Sequence, residues 1–322
     1  MPLVAFYRRH FRETIFGTVV RSLIRASHAV VAHLAFAVRW LCAAPLRLGS
    51  RIAGSWRNVW QRAWNLWYRA KYVTRYYAAR LKPALPWLLR SRETSNFTYD
   101  LTERNKAHIA SALAVVLKRR PSELRGYIDE LSGDNDLKAV VAARVKLLGR
   151  GVGLDPDARF GRRIGWYALV RALKPKVVVE TGVEKGLGAT VLCAALLKNA
   201  SEGHPGLYFG TDIDPGAGIL FVQPYRSTGE ILCGDSIRSL EAMAHQVDLF
   251  INDSDHSADY EAREYRVILP KLSENGIIIG DNAHVTDELY KFSEETGRRF
   301  LFVREEPADH WYLGAGIGLS FK

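Results

Sequence analysis

The run VVVETGVEKGLGATVL, residues 177–192, is the stretch that most constrains the fold. Three valines enter a strand and a glutamate closes it. Gly182, Gly186 and Gly188 then mark a tight turn, and an alanine-rich helical pattern follows. A buried apolar strand running through glycines into a helix is the first half of a strand–helix–strand crossover. It predicts a parallel sheet covered by helices. Glu180, an acid at the last position of a strand with no other polar residue, has no packing reason to be there.

The alternation continues downstream. A helix over 162–173 precedes the strand at 177–180. Strands follow at 207–212, 231–232, 247–253, 276–280, 299–304 and near 312–321, with helices from 188 and at 237–245, 260–272 and 286–296 between them. The expectation is an α/β, Rossmann-like, mostly parallel seven-stranded sheet with helices on both faces. In such sheets ligands bind outside the C-terminal ends of the strands, where the strand order reverses. Acids stand at five of those ends: Glu180, then Asp212 with Asp214, then Asp235 after Gly234, then Asp253, then Asp281 beside Asn282. Packing does not require them, so they mark one functional rim.

The glycine spacing separates two kinds of nucleotide site. A dinucleotide fingerprint reads GxGxxG and sets a pyrophosphate on the helix N-terminus. Here a carboxylate faces the turn, which would repel a pyrophosphate and attract an ammonium or a ribose hydroxyl. The stretch resembles the first motif, ExGxxxG, of class I S-adenosylmethionine-dependent methyltransferases. That resemblance implies S-adenosylmethionine as cofactor. Glu180, Gly182, Gly186 and Gly188 would lie around its methionine part. Asp212, with Asp214 just beyond, would hold the ribose, and Gly234, Asp235 and Ser236 would lie near the adenine.

VDLFINDSDHS and GIIIGDNAH, at the fourth and fifth strand ends, resemble the metal-dependent O-methyltransferases. These include the catechol and caffeoyl-CoA types and the macrocin O-methyltransferase and cephalosporin-hydroxylase-like group. The resemblance implies Asp253, Asp281 and Asn282 as ligands of Mg²⁺ or a similar divalent cation. Hard oxygen donors suit that ion. It would acidify an acceptor hydroxyl that attacks the sulfonium methyl. His256 stands where the catechol-type enzymes carry a lysine base. An imidazole titrates near neutrality and suits the task, or it orients Asp253 or caps the next helix. Asp255 is a further candidate around the ion. His284, His310 and Trp311 fall in loops expected to border the substrate pocket. The bland alternative for the acids is helix capping and turn formation, which Asp and Asn favour in any case.

The resemblance covers about residues 160–322. Residues 1–92 are different in kind: 17 Lys/Arg against a single acid, Glu13, with six of the eight tryptophans. The remainder has 28 Lys/Arg and 33 Asp/Glu. Trp56, Trp60 and Trp64 recur every fourth residue, and Trp67, Tyr68, Tyr72 and Tyr76 continue the series among Arg57, Arg62, Arg69, Lys71 and Arg75. An aromatic series among cations suits the headgroup layer of an anionic membrane. Packing on protein is the alternative, and nucleic acid is disfavoured. The stretch 26–46 is apolar but holds His28, His33 and Arg39, a poor composition for a span. Pro83 and Pro86 are expected to break the arm helix.

Residues 93–159 read as a small helical subdomain or lid. Thr102 caps a helix with Ile109, Leu113 and Val116 inward, and Asn96, Tyr99 and Asp100 are within reach of a site. Cys42, Cys193 and Cys233 form no CxxC pair, which argues against a disulfide framework or a thiolate zinc site. The expectation is an O-methyltransferase acting on a hydroxylated small molecule, sugar or lipid-linked glycan, cytoplasmic or peripheral at the membrane. An RNA-modifying methyltransferase, or a non-catalytic interaction protein on a vestigial fold, is the alternative. The oligomeric state is not readable.

Overall fold

The computed structural model describes residues 50–281 and 283–322. The chain divides into two compact units, Met1–Arg75 and Tyr76–Lys322. The boundary falls within helix α1, Ser50–Arg90. Among the described residues no helix is long and apolar enough to cross a membrane, and the stretch 26–46 lies outside them. Contrary to expectation, α1 runs through Pro83 and Pro86 to Arg90. Each proline forfeits one helical hydrogen bond. The turn beyond them is held by Trp87, whose ring lies 5.0 Å from Trp311, and by Ser91 N–H donating to the Trp87 carbonyl at 2.9 Å.

In the second unit, β1 (Asp100–Leu101) leads into helices α2 (Glu103–Leu117), α3 (Pro121–Gly133) and α4 (Asn135–Leu148). Thr102 caps α2, its hydroxyl accepting from Asn105 N–H. Ile109, Leu113 and Val116 face inward as their spacing requires. Then come α5 (Arg163–Leu173), β2 (Val177–Thr181), α6 (Leu187–Ser201), β3 (Leu207–Asp212), β4 (Gly229–Cys233), α7 (Ser236–Ala242), β5 (Val247–Asn252) and α8 (Ala258–Ile268). The chain closes with β6 (Leu272–Gly280), α9 (Glu288–Glu295), β7 (Arg299–Arg304), β8 (Pro307–Ala308) and β9 (Gly316–Phe321).

Seven strands form one sheet in the order β4-β3-β2-β5-β6-β9-β7, and β1 pairs with β8 in a separate ribbon. All neighbours from β4 to β6 are parallel, and only β9 runs against both its partners. Alternation along the strands serves two cores. Val178, Leu249, Ile251, Ile277 and Ile279 face α2–α6, while Val177, Val179, Phe250 and Ile278 face Leu240, Tyr265, Ile268 and Leu289. The helices expected as a separate subdomain bury Ile109, Leu113, Leu124 and Val141 in the first of these cores, together with sheet residues. From β2 the chain steps outward to β3 and β4, then returns to β5. The reversal places a cleft over the C-terminal ends of β2 and β5.

Candidate functional site

That cleft measures about 1100 Å³. Gly182, Asp212, Asp214, Gly234, Asp235, Ser236, Asp253, His256 and Asp281 all line it, brought together from five strand ends. Glu180, Gly186 and Gly188 do not; they lie beneath it. Asn282 falls outside the described residues.

The glycine turn is tight for steric reasons. A side chain at Gly182, where φ is +82°, would meet the Asp253 carbonyl at 2.0 Å. One at Gly188 would meet Oε1 of Glu180 at 2.2 Å. Glu180 is therefore the floor under the first turn of α6, not a wall of the cleft. It is 2% exposed, and Tyr208 Oη donates to its carboxylate. Burial pushes its pKa up to about 7, against the opposing hydrogen bond from Tyr208 and the charge of Arg163.

Asp212 organises the rim with both oxygens, accepting from Glu184 N–H at 2.8 Å and Asp214 N–H at 2.9 Å. Asp235 caps α7 by accepting from Arg238 N–H at 3.0 Å and also takes the Tyr260 hydroxyl at 3.0 Å. The Arg238 N–H holds the Asp235 carboxyl below its ordinary range. These contacts are the helix capping and turn formation that Asp favours at such positions. The cleft also keeps a buried Thr211 hydroxyl oxygen that has no hydrogen-bond partner.

At the other end Asp253 and Asp281 lie side by side. Burial, and then the Asp281 charge, push Asp253 well above the usual carboxylate range. Between them stands Arg162, at the N-cap of α5. Its Nε donates to Asp281, and an Nη atom lies 3.7 Å from Asp253. Behind it, Tyr99 Oη donates to Glu305 and lies 3.4 Å from Arg162. Arg162 spends one oxygen of Asp281 and makes no hydrogen bond to Asp253. The two carboxyls also share a hydrogen bond with each other; as adjacent hard oxygen donors they fit an ion such as Mg²⁺, which takes one or two carboxylates and keeps its waters. Among the described residues no group of three His, Cys, Asp or Glu could hold a metal by itself.

His256 is exposed on the loop after β5 and lines the cleft; Asp255 accepts from Ser257 N–H at 3.0 Å just before α8. His284 and Tyr312 line the cleft, whereas His310 and Trp311 pack beside Trp87, away from it. Of the residues in the 96–100 loop, Asn96 reaches the cleft, Tyr99 is buried behind it and Asp100 is exposed.

Sequence reasoning missed Arg162, Arg163 and Glu264. Glu264 is fully buried on α8. It accepts from Thr181 Oγ1 at 3.2 Å and Ser254 Oγ at 2.7 Å, and also from Ser236 and Asn252. One carboxylate thereby ties three strand ends together. Its signal was an acid at 264 in the inward-facing set 261, 264, 265 and 268. The signal for the arginines was a charged pair opening a helix otherwise buried along its length.

Residues 179–283 match the family described as "Methyltransferase domain". Among solved structures, the chain is similar to a methyltransferase from Geobacter sulfurreducens, with 20% identity over 57% of this chain and 89% of that one, at a TM-score of 0.40. It is similar to an O-methyltransferase from Bacillus cereus in complex with SAH, with 15% identity over 59% and 91%, TM-score 0.41. It is also similar to the O-methyltransferase TomG from Streptomyces achromogenes, in complex with SAM, with 13% identity over 58% and 90%, TM-score 0.42. No curated protein matches the chain.

Proposed function

We propose that the chain, whose residues 179–283 match a methyltransferase domain, transfers the methyl group of S-adenosylmethionine to a hydroxyl of a small molecule, a sugar or a lipid-linked glycan. One observation carries this reading. Acids from four strand ends and a glycine turn too tight for any side chain converge on a single cleft. The unpaired Thr211 hydroxyl and the mixed donors and acceptors of the cleft fit a cofactor with ammonium, ribose and adenine parts. When bound, S-adenosylmethionine supplies an electrophilic methyl on a sulfonium.

The chain's own residues do the rest. Asp212 and Asp235 would accept hydrogen bonds from the adenosine part, and the Gly182 turn would let the backbone approach closely. Asp253 and Asp281 would hold a divalent cation, with Asn282 carried over from the resemblance; bound there, the ion lowers the pKa of the acceptor hydroxyl. Arg162 offsets part of the negative charge of that pair and fixes Asp281. His256, exposed at the mouth, accepts the acceptor's proton. Holding the attacking oxygen in line with the methyl carbon would lower the barrier by positioning.

Residues 1–92 place the enzyme on an anionic membrane. Trp60, Trp64, Trp67, Tyr68 and Tyr72 on α1 are all exposed. Lys71 stands 5.2 Å over the Trp67 ring, so cation and aromatic act on one side of the helix.

Calorimetric titration with S-adenosylmethionine, with and without Mg²⁺, tests the reading. Cofactor binding followed by methyl transfer to a hydroxylated acceptor supports it. A folded protein that does not bind the cofactor sinks it.

A further inference from the structure

Arg163 is 6% exposed and opens α5 beside Arg162. Arg162 is fully engaged with acids; Arg163 is not. Its Nε and an Nη atom are buried and have no hydrogen-bond partner, and no ion pair holds it. Its guanidinium lies 5.2 Å over the Phe97 ring and 5.8 Å from that of Trp166. Glu180, Asp253 and Glu305 act on it only through space. It lines the cleft together with Asn96 and Lys185, and Lys185 stacks on Phe97 as well, at 4.7 Å.

A buried cation without a hydrogen-bonded counter-charge is costly, and the cost is removed when a ligand brings the missing anion. A guanidinium with no hydrogen-bonded counter-charge is a donor of charge-assisted hydrogen bonds to a carboxylate. Asp212 and Asp235 at one end would repel a carboxylate and welcome hydroxyl and amino donors. Arg163 stands nearer the Gly182 turn with Lys185, and of the two cations Lys185 is already paired with Glu184 at 2.5 Å.

We propose that Arg163 binds the carboxylate of the cofactor's methionine part, so that the enzyme selects an amino-acid-bearing sulfonium over one without a carboxylate. This rests on the cofactor reading above. The test is titration of the full chain with S-adenosylmethionine and with decarboxylated S-adenosylmethionine, for wild type, Arg163→Met and Arg163→Lys, each checked for folding by circular dichroism.

The expected result is that wild type prefers the carboxylate-bearing cofactor by about tenfold or more, the discrimination one charge-assisted hydrogen bond supplies. Arg163→Met loses that preference, by weakening S-adenosylmethionine while leaving the decarboxylated form within about twofold, and Arg163→Lys recovers part of it. Equal weakening of both ligands, or none, overturns the proposal and leaves Arg163 a packing residue. Should wild type bind neither ligand, the cofactor reading fails with it, an outcome distinct from the others.

Discussion

Arg162 donates from Nε to Oδ1 of Asp281, a buried ion pair joining the start of α5 to the end of β6. It puts a fixed positive charge beside the two carboxylates expected to hold a divalent ion. A dication and a guanidinium repel strongly at such separations. Arg162→Met should therefore tighten Mn²⁺ binding, read by electron paramagnetic resonance, by about tenfold or more. Asp281→Ala should abolish it. Wild type and Asp281→Ala with indistinguishable Mn²⁺ binding would remove the metal from the mechanism.

Glu180 gives a pH prediction. Its folded-state pKa is raised from 4.5 to about 7 by burial under α6. The unfolded chain loses this proton first as pH rises, so the protonated form favours the fold. The contribution is whole below the unfolded value and is lost as pH climbs through about 7. The size is on the order of 3 kcal/mol. Glu180→Gln keeps an acceptor for Tyr208 and cannot ionise. Urea denaturation at pH 5 and pH 8 should show wild type losing more stability over that interval than the variant. Parallel losses would mean that Glu180 does not titrate in this window.

The glycine turn is tested by Gly182→Ala. The added carbon would meet the Asp253 carbonyl at 2.0 Å, and the positive φ forbids easy relief. A loss of at least about 2 kcal/mol is expected, with displacement of Asp253 from Asp281. Gly203→Ala also has positive φ but nothing within 4 Å, so it isolates the backbone cost from the collision. Equal losses for the two variants would show that the contact with Asp253 does not matter.

Much of the architecture was readable because strands buried on both faces stand out as short continuous apolar runs between amphipathic helices, and acids end those runs. Asp212, Asp235, Asp253 and Asp281 all reach the cleft. Glu180 is the penultimate residue of β2, one short of the end expected, and it does not line the cleft: its carboxylate takes the Tyr208 hydroxyl and lies under Gly188. Arg162, Arg163 and Glu264 come from helices whose packing against the strand ends is set by tertiary structure. Their local sequence shows only charges where apolar residues belong. The proline break failed because Trp87, one residue beyond Pro86, is anchored on Trp311, and no local rule counts that contact.

The arm gives the last prediction. Trp64 and Trp67 stack at 5.3 Å, with Tyr68 edge-on to both, and all three are exposed. Buried tryptophan would need no such cluster in contact with solvent, whereas a headgroup layer accepts these rings and the cations among them. Replacing Trp60, Trp64 and Trp67 by Ser should lower co-sedimentation with phosphatidylserine vesicles by about tenfold or more, with S-adenosylmethionine affinity unchanged. Replacing Arg62, Arg69 and Lys71 by Gln should weaken binding to anionic vesicles and leave the residual binding to neutral phosphatidylcholine alone, because only the Coulombic part is removed. If the tryptophan variant sediments with phosphatidylserine as wild type does, these aromatics serve a protein partner instead.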